Sequence, residues 1–256
     1  MRIAVTGASG HIGLALCREL LKQGYQVAAL YHQNVHHLQK TGVDCIQGNI
    51  LDKEDLSRLM EGAQMVIHSA AQISIHGDPD GSVFRINTEG TKNVLEAAIQ
   101  HGLKRMVHIS SVHAVKELPH SEAFDENRPY KSAKDYAYDY SKAVSEQIVS
   151  STPDQSLEVV IVRPSCVIGP FDYRPSAIGD ALLKLVKGKM YFLPAGGYNL
   201  VDVRDVAQSI VASLTKAKDR ELFLLSGHYI TFRELAHLLE TITGKGLPKI
   251  VIPFSV

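Results

Sequence analysis

Thr6-Gly7-Ala8-Ser9-Gly10-His11-Ile12-Gly13 follows the apolar run Ile3-Ala4-Val5 and precedes Leu14, Ala15, Leu16 and Leu20, which recur at helical spacing. The order is strand, tight turn, helix. Each glycine has a purpose in such a turn: Gly7 makes the bend, Gly10 leaves room for a ligand against the backbone, and Gly13 lets the helix pack closely on the sheet. A helix start free of bulky side chains offers bare N–H groups and the positive end of the helix dipole to an anion. The segment therefore reads as a pyrophosphate site for NAD or NADP, formed by Gly7, Ser9, Gly10, His11, Ile12 and Gly13. A tight turn that binds nothing is the plainer alternative, and three glycines at one strand-to-helix junction argue against it.

Working outward, β-rich runs alternate with helical patterns: Arg2 to Thr6, Gln26 to Tyr31, Val43 to Gln47, Met65 to His68, Arg105 to Ser110 and Glu158 to Arg163 read as strands. Near-continuous apolar strands separated by helices imply a parallel sheet covered on both faces, with ligands at the carboxyl ends of the strands. The fold class is α/β, a Rossmann-like doubly wound parallel sheet. Asp52 reads as an N-cap. After Pro164 the alternation becomes irregular, punctuated by Pro170, Pro175, Gly188, Pro194, Gly196 and Gly197. The expected division is a dinucleotide-binding domain over residues 1–165 and a smaller substrate-binding lobe over 166–256, with some segments of the lobe returning to the main sheet. The apolar end, Ile250-Val251-Ile252-Pro253-Phe254-Ser255-Val256, reads as an incomplete C-terminal portion.

At 256 residues and 45% hydrophobic content the chain can bury a large core. Lys plus Arg number 27 and Asp plus Glu 27, so no basic surplus recruits nucleic acid or an acidic membrane. Cys17, Cys45 and Cys166 are odd in number and widely spaced, as expected of reduced thiols in a cytoplasm. No apolar run reaches the length of a membrane span. His32 and His36 could share a helix face, but no third ligand accompanies them and no metal is expected.

Two Tyr-x-x-x-Lys pairs occur, Tyr130/Lys134 and Tyr138/Lys142. The first sits just behind Pro129 in a charged stretch. The second lies in a segment whose Ala137, Val144 and Ile148 form an apolar stripe, so it reads as a helix that puts Tyr138 and Lys142 on one face. A free phenol is a poor base at neutral pH, and a neighbouring ammonium stabilises its phenolate. Lys142 is thus expected to tune Tyr138. Ser111, preferred to Ser110, closes an apolar strand and would hold the substrate oxygen. At the end of the second strand, Tyr31 and His32 stand where an acid would bind the ribose of NAD; without a carboxylate there, the reading leans towards NADP.

With these residues the chain resembles the extended short-chain dehydrogenase/reductases of the NAD-dependent epimerase/dehydratase superfamily. The resemblance runs through Thr6 to Gly13, Gly48 to Asp52, His68 to Ala71, Asn87 to Val94, Ser110-Ser111, Tyr138 to Lys142, Arg163 to Pro170 and Val201 to Ala207. It implies that Tyr138 relays the proton, Ser111 orients the carbonyl or hydroxyl, and Lys142 also holds the nicotinamide ribose. It implies further that Asn49 and Ile50 meet the adenine, Ala70 and Ala71 lie along the cofactor, Pro164 and Ser165 flank the nicotinamide, and Asn87 supports the catalytic helix. Asn49 stands where the family usually has Asp, and Asp202 where it commonly has His. Ser111-Val112-His113 departs from the Thr-Asp-Glu of the 4,6-dehydratases, and Arg163-Pro164-Ser165 looks like dihydroflavonol 4-reductases and 3β-hydroxysteroid dehydrogenases.

The expected activity is hydride transfer between nicotinamide and a carbonyl or secondary alcohol of a small molecule. The alternatives are a nucleotide-sugar epimerase with tightly held NAD and a non-catalytic dinucleotide sensor. His113 and Arg174 are the candidate substrate contacts. A homodimer through the Tyr138 helix and the long helix before it is implied by the resemblance alone.

Overall fold

The structure, a computed structural model, describes residues 1–253; residues 254–256, the end of the expected C-terminal apolar run, lie outside the described residues. The first half runs β1 (Arg2–Thr6), α1 (His11–Lys22), β2 (Gln26–Tyr31), α2 (His36–Gln39), β3 (Asp44–Gln47), α3 (Lys53–Met60), β4 (Met65–His68), α4 (Ser82–Gln100), β5 (Arg105–Ile109) and α5 (Ala137–Ser150). The second runs β6 (Glu158–Pro164), β7 (Cys166–Ile168), α6 (Ala177–Val186), β8 (Leu193–Pro194), β9 (Gly197–Asp202), α7 (Val203–Lys216), β10 (Leu222–Leu225), β11 (His228–Thr231), α8 (Phe232–Thr243) and β12 (Val251–Ile252).

Seven strands form one parallel sheet in the order β10-β6-β5-β4-β1-β2-β3. Strand order reverses at β1, which pairs with β2 on one side and β4 on the other, so a crevice opens beyond its carboxyl end. Alternate residues of each strand face opposite ways. Ile3, Val5, Ile67, Val107 and Val160 pack under α1 and α7, while Ala4, Val66, Met106, Val159 and Ile161 pack under α3, α4 and α5. The sequence reading missed β10, which extends the sheet beside β6 from beyond residue 165, as α7 extends its helical cover.

The remainder is a smaller lobe. β9 lies between β7, parallel, and β11, antiparallel, with α6 and α8 around a small core of Leu185, Leu193, Ala236 and Leu247. Asp52 caps α3 by accepting from the Glu54 and Asp55 N–H groups. Asp202 does the same for α7 through Arg204 N at 2.7 Å, which gives this departure from the family pattern a local structural role. His32 and His36 do not share a helix face: α2 starts only at His36 and lasts a single turn. Cys17 is fully buried, Cys45 and Cys166 are half-buried, and all three are free thiols. Among the described residues no helix is long and apolar enough to cross a membrane.

Candidate active site

Packing of the chain itself demands two of the three glycines. Gly7 has φ +66°, and a Cβ there would lie 2.6 Å from Ala70 N. A Cβ on Gly13 would lie 2.1 Å from the Gly7 carbonyl oxygen. Gly10 differs: it is exposed, and its Cβ would meet only the Gly7 oxygen, at 3.3 Å. It forms the N-cap of α1, where no side chain caps the helix and no acid occupies the first turn. The turn thus presents an open, bare-backbone face at a helix N-terminus, which fits a dinucleotide pyrophosphate. Ser9 is exposed beside it, Ile12 is half-buried, and the His11 ring reaches the Pro170 carbonyl at 3.0 Å.

Behind the turn a hydrogen-bond chain ties β1 to β4 and α4. Ala70 N–H donates to Thr6 Oγ1 at 3.3 Å, Thr6 meets His68 Nδ1 at 2.7 Å, His68 Nε2 meets Thr91 Oγ1 at 3.0 Å, and Thr91 donates to the Asn87 carbonyl. The donors resolve in one direction when His68 is neutral with its proton on Nε2. Burial, with Lys142 nearby, pulls the His68 ring down to about 3. Ala71, by contrast, is exposed.

Beyond β2 and β3 a pocket of about 460 Å³ is lined by His32, Gln47, Gly48, Asn49, Asp55 and Arg58. Asn49 donates its N–H to Asp55 at 2.8 Å and accepts from Leu51 N on its side-chain oxygen at 3.0 Å. Arg58 bonds to the Asp55 carboxylate, which it holds below the usual carboxylate range, helped by Asn49 N–H. Sequence reasoning passed over Asp55 and Arg58. The signal was their three-residue spacing on the helix that starts beside Asn49. The Ile50 side chain is buried against α4 at Gly90, where a Cβ would come 2.4 Å from Ile50 Cδ1. Tyr31 is half-buried and its carbonyl takes Gly48 N–H at 3.0 Å.

At the other end of the crevice, Ser111 follows β5 and caps a short 3-10 turn, accepting His113 N–H at 3.1 Å. Tyr138, half-buried in the first turn of α5, stands next to it. Burial pushes the phenol up to about 12; the Ser111 hydroxyl pulls it down and Asp139 pushes it up. Lys142 is 3% exposed and donates to the Ile109 carbonyl at 2.7 Å. Burial brings its ammonium down to about 8, against the pull of Glu146. The two side chains share a helix face, but the lysine is committed two residues deeper along β5 than Ser111.

The rival pair does not assemble. Tyr130 lies ahead of α5 and donates to Glu146 at 2.9 Å, while Lys134 is exposed in the same segment. Asn87 joins the loop after β4 to α5: its amide donates to the Gln72 carbonyl at 3.0 Å and to Ser141 Oγ at 2.8 Å, and Ser141 donates to the Tyr138 carbonyl at 2.7 Å. His113 is exposed, with its ring centroid 6.0 Å from that of Tyr138 and Nδ1 3.2 Å from Asp139. Arg174 is exposed on the loop before α6, next to Tyr173, whose ring stacks on His37 at 3.7 Å. Pro164 is buried at the end of β6, and Ser165 donates to Asn199 at 2.9 Å.

The model of the NAD dependent epimerase/dehydratase family matches residues 3–225. The chain is similar to sterol demethylase protein B of Methylococcus capsulatus, 33% identical across 99% of this chain and 78% of that protein. A Synechocystis protein carrying the provisional name dihydroflavonol 4-reductase is 34% identical across 97% of this chain and 74% of its own length. Among solved structures, the Thermus thermophilus UDP-glucose 4-epimerase in complex with NAD superposes with a TM-score of 0.85 at 28% identity, covering 99% of this chain and 86% of that one.

Proposed function

The chain belongs to the NAD dependent epimerase/dehydratase family, and from that premise we propose that it is an NAD(P)-dependent oxidoreductase acting on a carbonyl or secondary alcohol of a small molecule. The observation that carries this reading is the meeting of Ser111 and Tyr138 at the carboxyl edge of the sheet, with Lys142 buried beneath them. The name of the Synechocystis relative supports it. When bound, the nicotinamide supplies or accepts the hydride.

The chain's own residues would do the rest. Ser111 donates to the substrate oxygen and fixes its position. Tyr138 gives its proton to that oxygen as the carbonyl becomes an alcohol, and takes it back in the reverse direction. A phenol held up near 12 carries its proton at neutral pH, which suits reduction. Lys142 would hold the nicotinamide ribose, Ala70 and Ala71 would lie along the cofactor, and Pro164 and Ser165 would flank the nicotinamide ring. Gly7, Ser9, Gly10, His11, Ile12 and Gly13 would take the pyrophosphate.

NADP is the favoured form. His32 and Arg58 both line the outer pocket, and its one carboxylate, Asp55, is already engaged by Arg58 and Asn49 N–H. Three free thiols support residence in the cytoplasm. A homodimer through α4 and α5 rests on the family resemblance, and sedimentation would test it.

A panel of ketones and nucleotide sugars, followed at the nicotinamide absorbance, tests the reading. Stoichiometric NADPH oxidation with a ketone is the expected result. NAD that stays bound through purification, with interconversion of nucleotide sugars and no net cofactor turnover, would select the epimerase reading favoured by the Thermus likeness.

A further inference from the structure

β5 carries a histidine that this mechanism leaves unused. His108 is 1% exposed, and among the described residues neither ring nitrogen has a hydrogen-bond partner. Buried polar groups in folded chains nearly always have one, so an imidazole in this place needs a reason that a phenyl ring would not. His68, its register partner on β4, lies 5.4 Å away between ring centroids, but spends both nitrogens on Thr6 and Thr91. The residue after His108 is Ile109, whose carbonyl receives Lys142 Nζ at 2.7 Å. That ammonium has three N–H groups, is almost wholly buried, and has one such bond.

We propose that His108 is a positioning residue for Lys142: its neutral ring forms a polar floor under the buried ammonium, keeping it charged and pinned to β5. The proposal rests on the reading that Lys142 belongs to the working site. The charges that face Lys142 come from several elements. On α5, Glu146 favours the ammonium; on β4 and β5, His68 and His108 stay uncharged near it; on α4, Thr91, which does not titrate, holds the His68 ring. Burial first, then Lys142 and His68, hold the His108 ring well below the ordinary imidazole value. Two adjacent buried cations would repel, so the lysine keeps its proton and the histidine stays neutral. A neutral imidazole offers a buried ammonium its ring dipole and a lone pair, which phenylalanine or leucine lacks.

The test is a lysine titration that needs no turnover. The Cε-bonded ¹³C signal of Lys142 is followed with pH in the wild-type chain and in His108→Phe, His108→Leu and His108→Gln, with Lys142→Ala giving the assignment. The apolar variants should lower the Lys142 midpoint by about one unit, a tenfold loss of proton affinity, and glutamine should restore most of it. An unchanged midpoint in either apolar variant overturns the proposal, as does a glutamine variant no better than leucine. Should both apolar variants fail to fold, the wild-type imidazole signals decide: His108 must stay neutral throughout the range in which Lys142 titrates, and a ring that takes up a proton near pH 6.5 ends the proposal. Failure of the oxidoreductase reading would show separately, as absence of nicotinamide turnover, and leaves this titration unaffected.

Discussion

Ser110 donates to the Glu146 carboxylate at 2.5 Å, deep in the sheet, and that bond decides which of two adjacent serines is left for a substrate. The same carboxylate accepts from Arg163 and Tyr130, so Ser110 belongs to a buried ion-pair network, with Arg163 only 2% exposed. Ser111→Ala should therefore leave thermal stability near wild type and lower kcat by about a hundredfold, as loss of one oxyanion donor does. Ser110→Ala should do the reverse, costing about 1–3 kcal/mol because Glu146 loses a donor inside the core. Melting curves and steady-state rates on the two variants check this, and equal effects on both would remove the distinction.

Tyr138→Phe should cut turnover by about 10²–10⁴-fold with cofactor affinity almost unchanged. The wild-type pH profile carries a direction as well. A phenol held near 12 is fully protonated at neutral pH, so carbonyl reduction should be flat between about pH 6 and 9, whereas alcohol oxidation, which needs the phenolate, should climb with pH. Initial rates in both directions measure it. Oxidation that falls as pH rises would exclude the phenol as base.

The glycines separate folding from binding. Gly10→Val should spare the fold, since little surrounds a side chain there, yet abolish cofactor binding by filling the approach to the pyrophosphate. Gly13→Ala should instead destabilise the protein by about 1–3 kcal/mol or more, because its Cβ overlaps the Gly7 carbonyl. Isothermal titration of the first variant and chemical denaturation of the second provide the readouts.

His68 sets a pH window for stability. Its ring is neutral in the fold down to about 3, whereas in the unfolded chain it takes a proton near 6.5. Its folded value lies below its unfolded one, so stability is whole above pH 6.5 and declines as pH falls towards 3. The loss at the acid end is on the order of 4–5 kcal/mol. His68→Gln should flatten this part of the curve in urea titrations taken at successive pH values.

Much of this molecule is readable from its residues, and the unreadable parts share a cause. The glycine turn, the six strands and the Tyr138 helix announce themselves because backbone conformation and hydrophobic period are local properties. β10 escaped notice because its Leu-Phe-Leu-Leu run is short and its partner, β6, lies far back in the chain. Arg58 escaped because its meaning depends on which strand ends α3 sits beside. Lys142 reads as a partner of Tyr138 from helix spacing, and what that spacing does not show is its bond to the Ile109 carbonyl, on another element. The packing of the Ile50 side chain over Gly90 is likewise a contact between distant elements.

Cys17 lies sealed between α1 and the sheet, with its thiol pushed up to about 12 by burial. Alkylating reagents consume the thiolate, so this sulfur stays silent until α1 lifts away. The chain thereby carries a native clock: the rate at which Cys17 labels counts openings of the dinucleotide half, and a saturating ligand that slows the count reveals its own affinity without any chromophore or turnover.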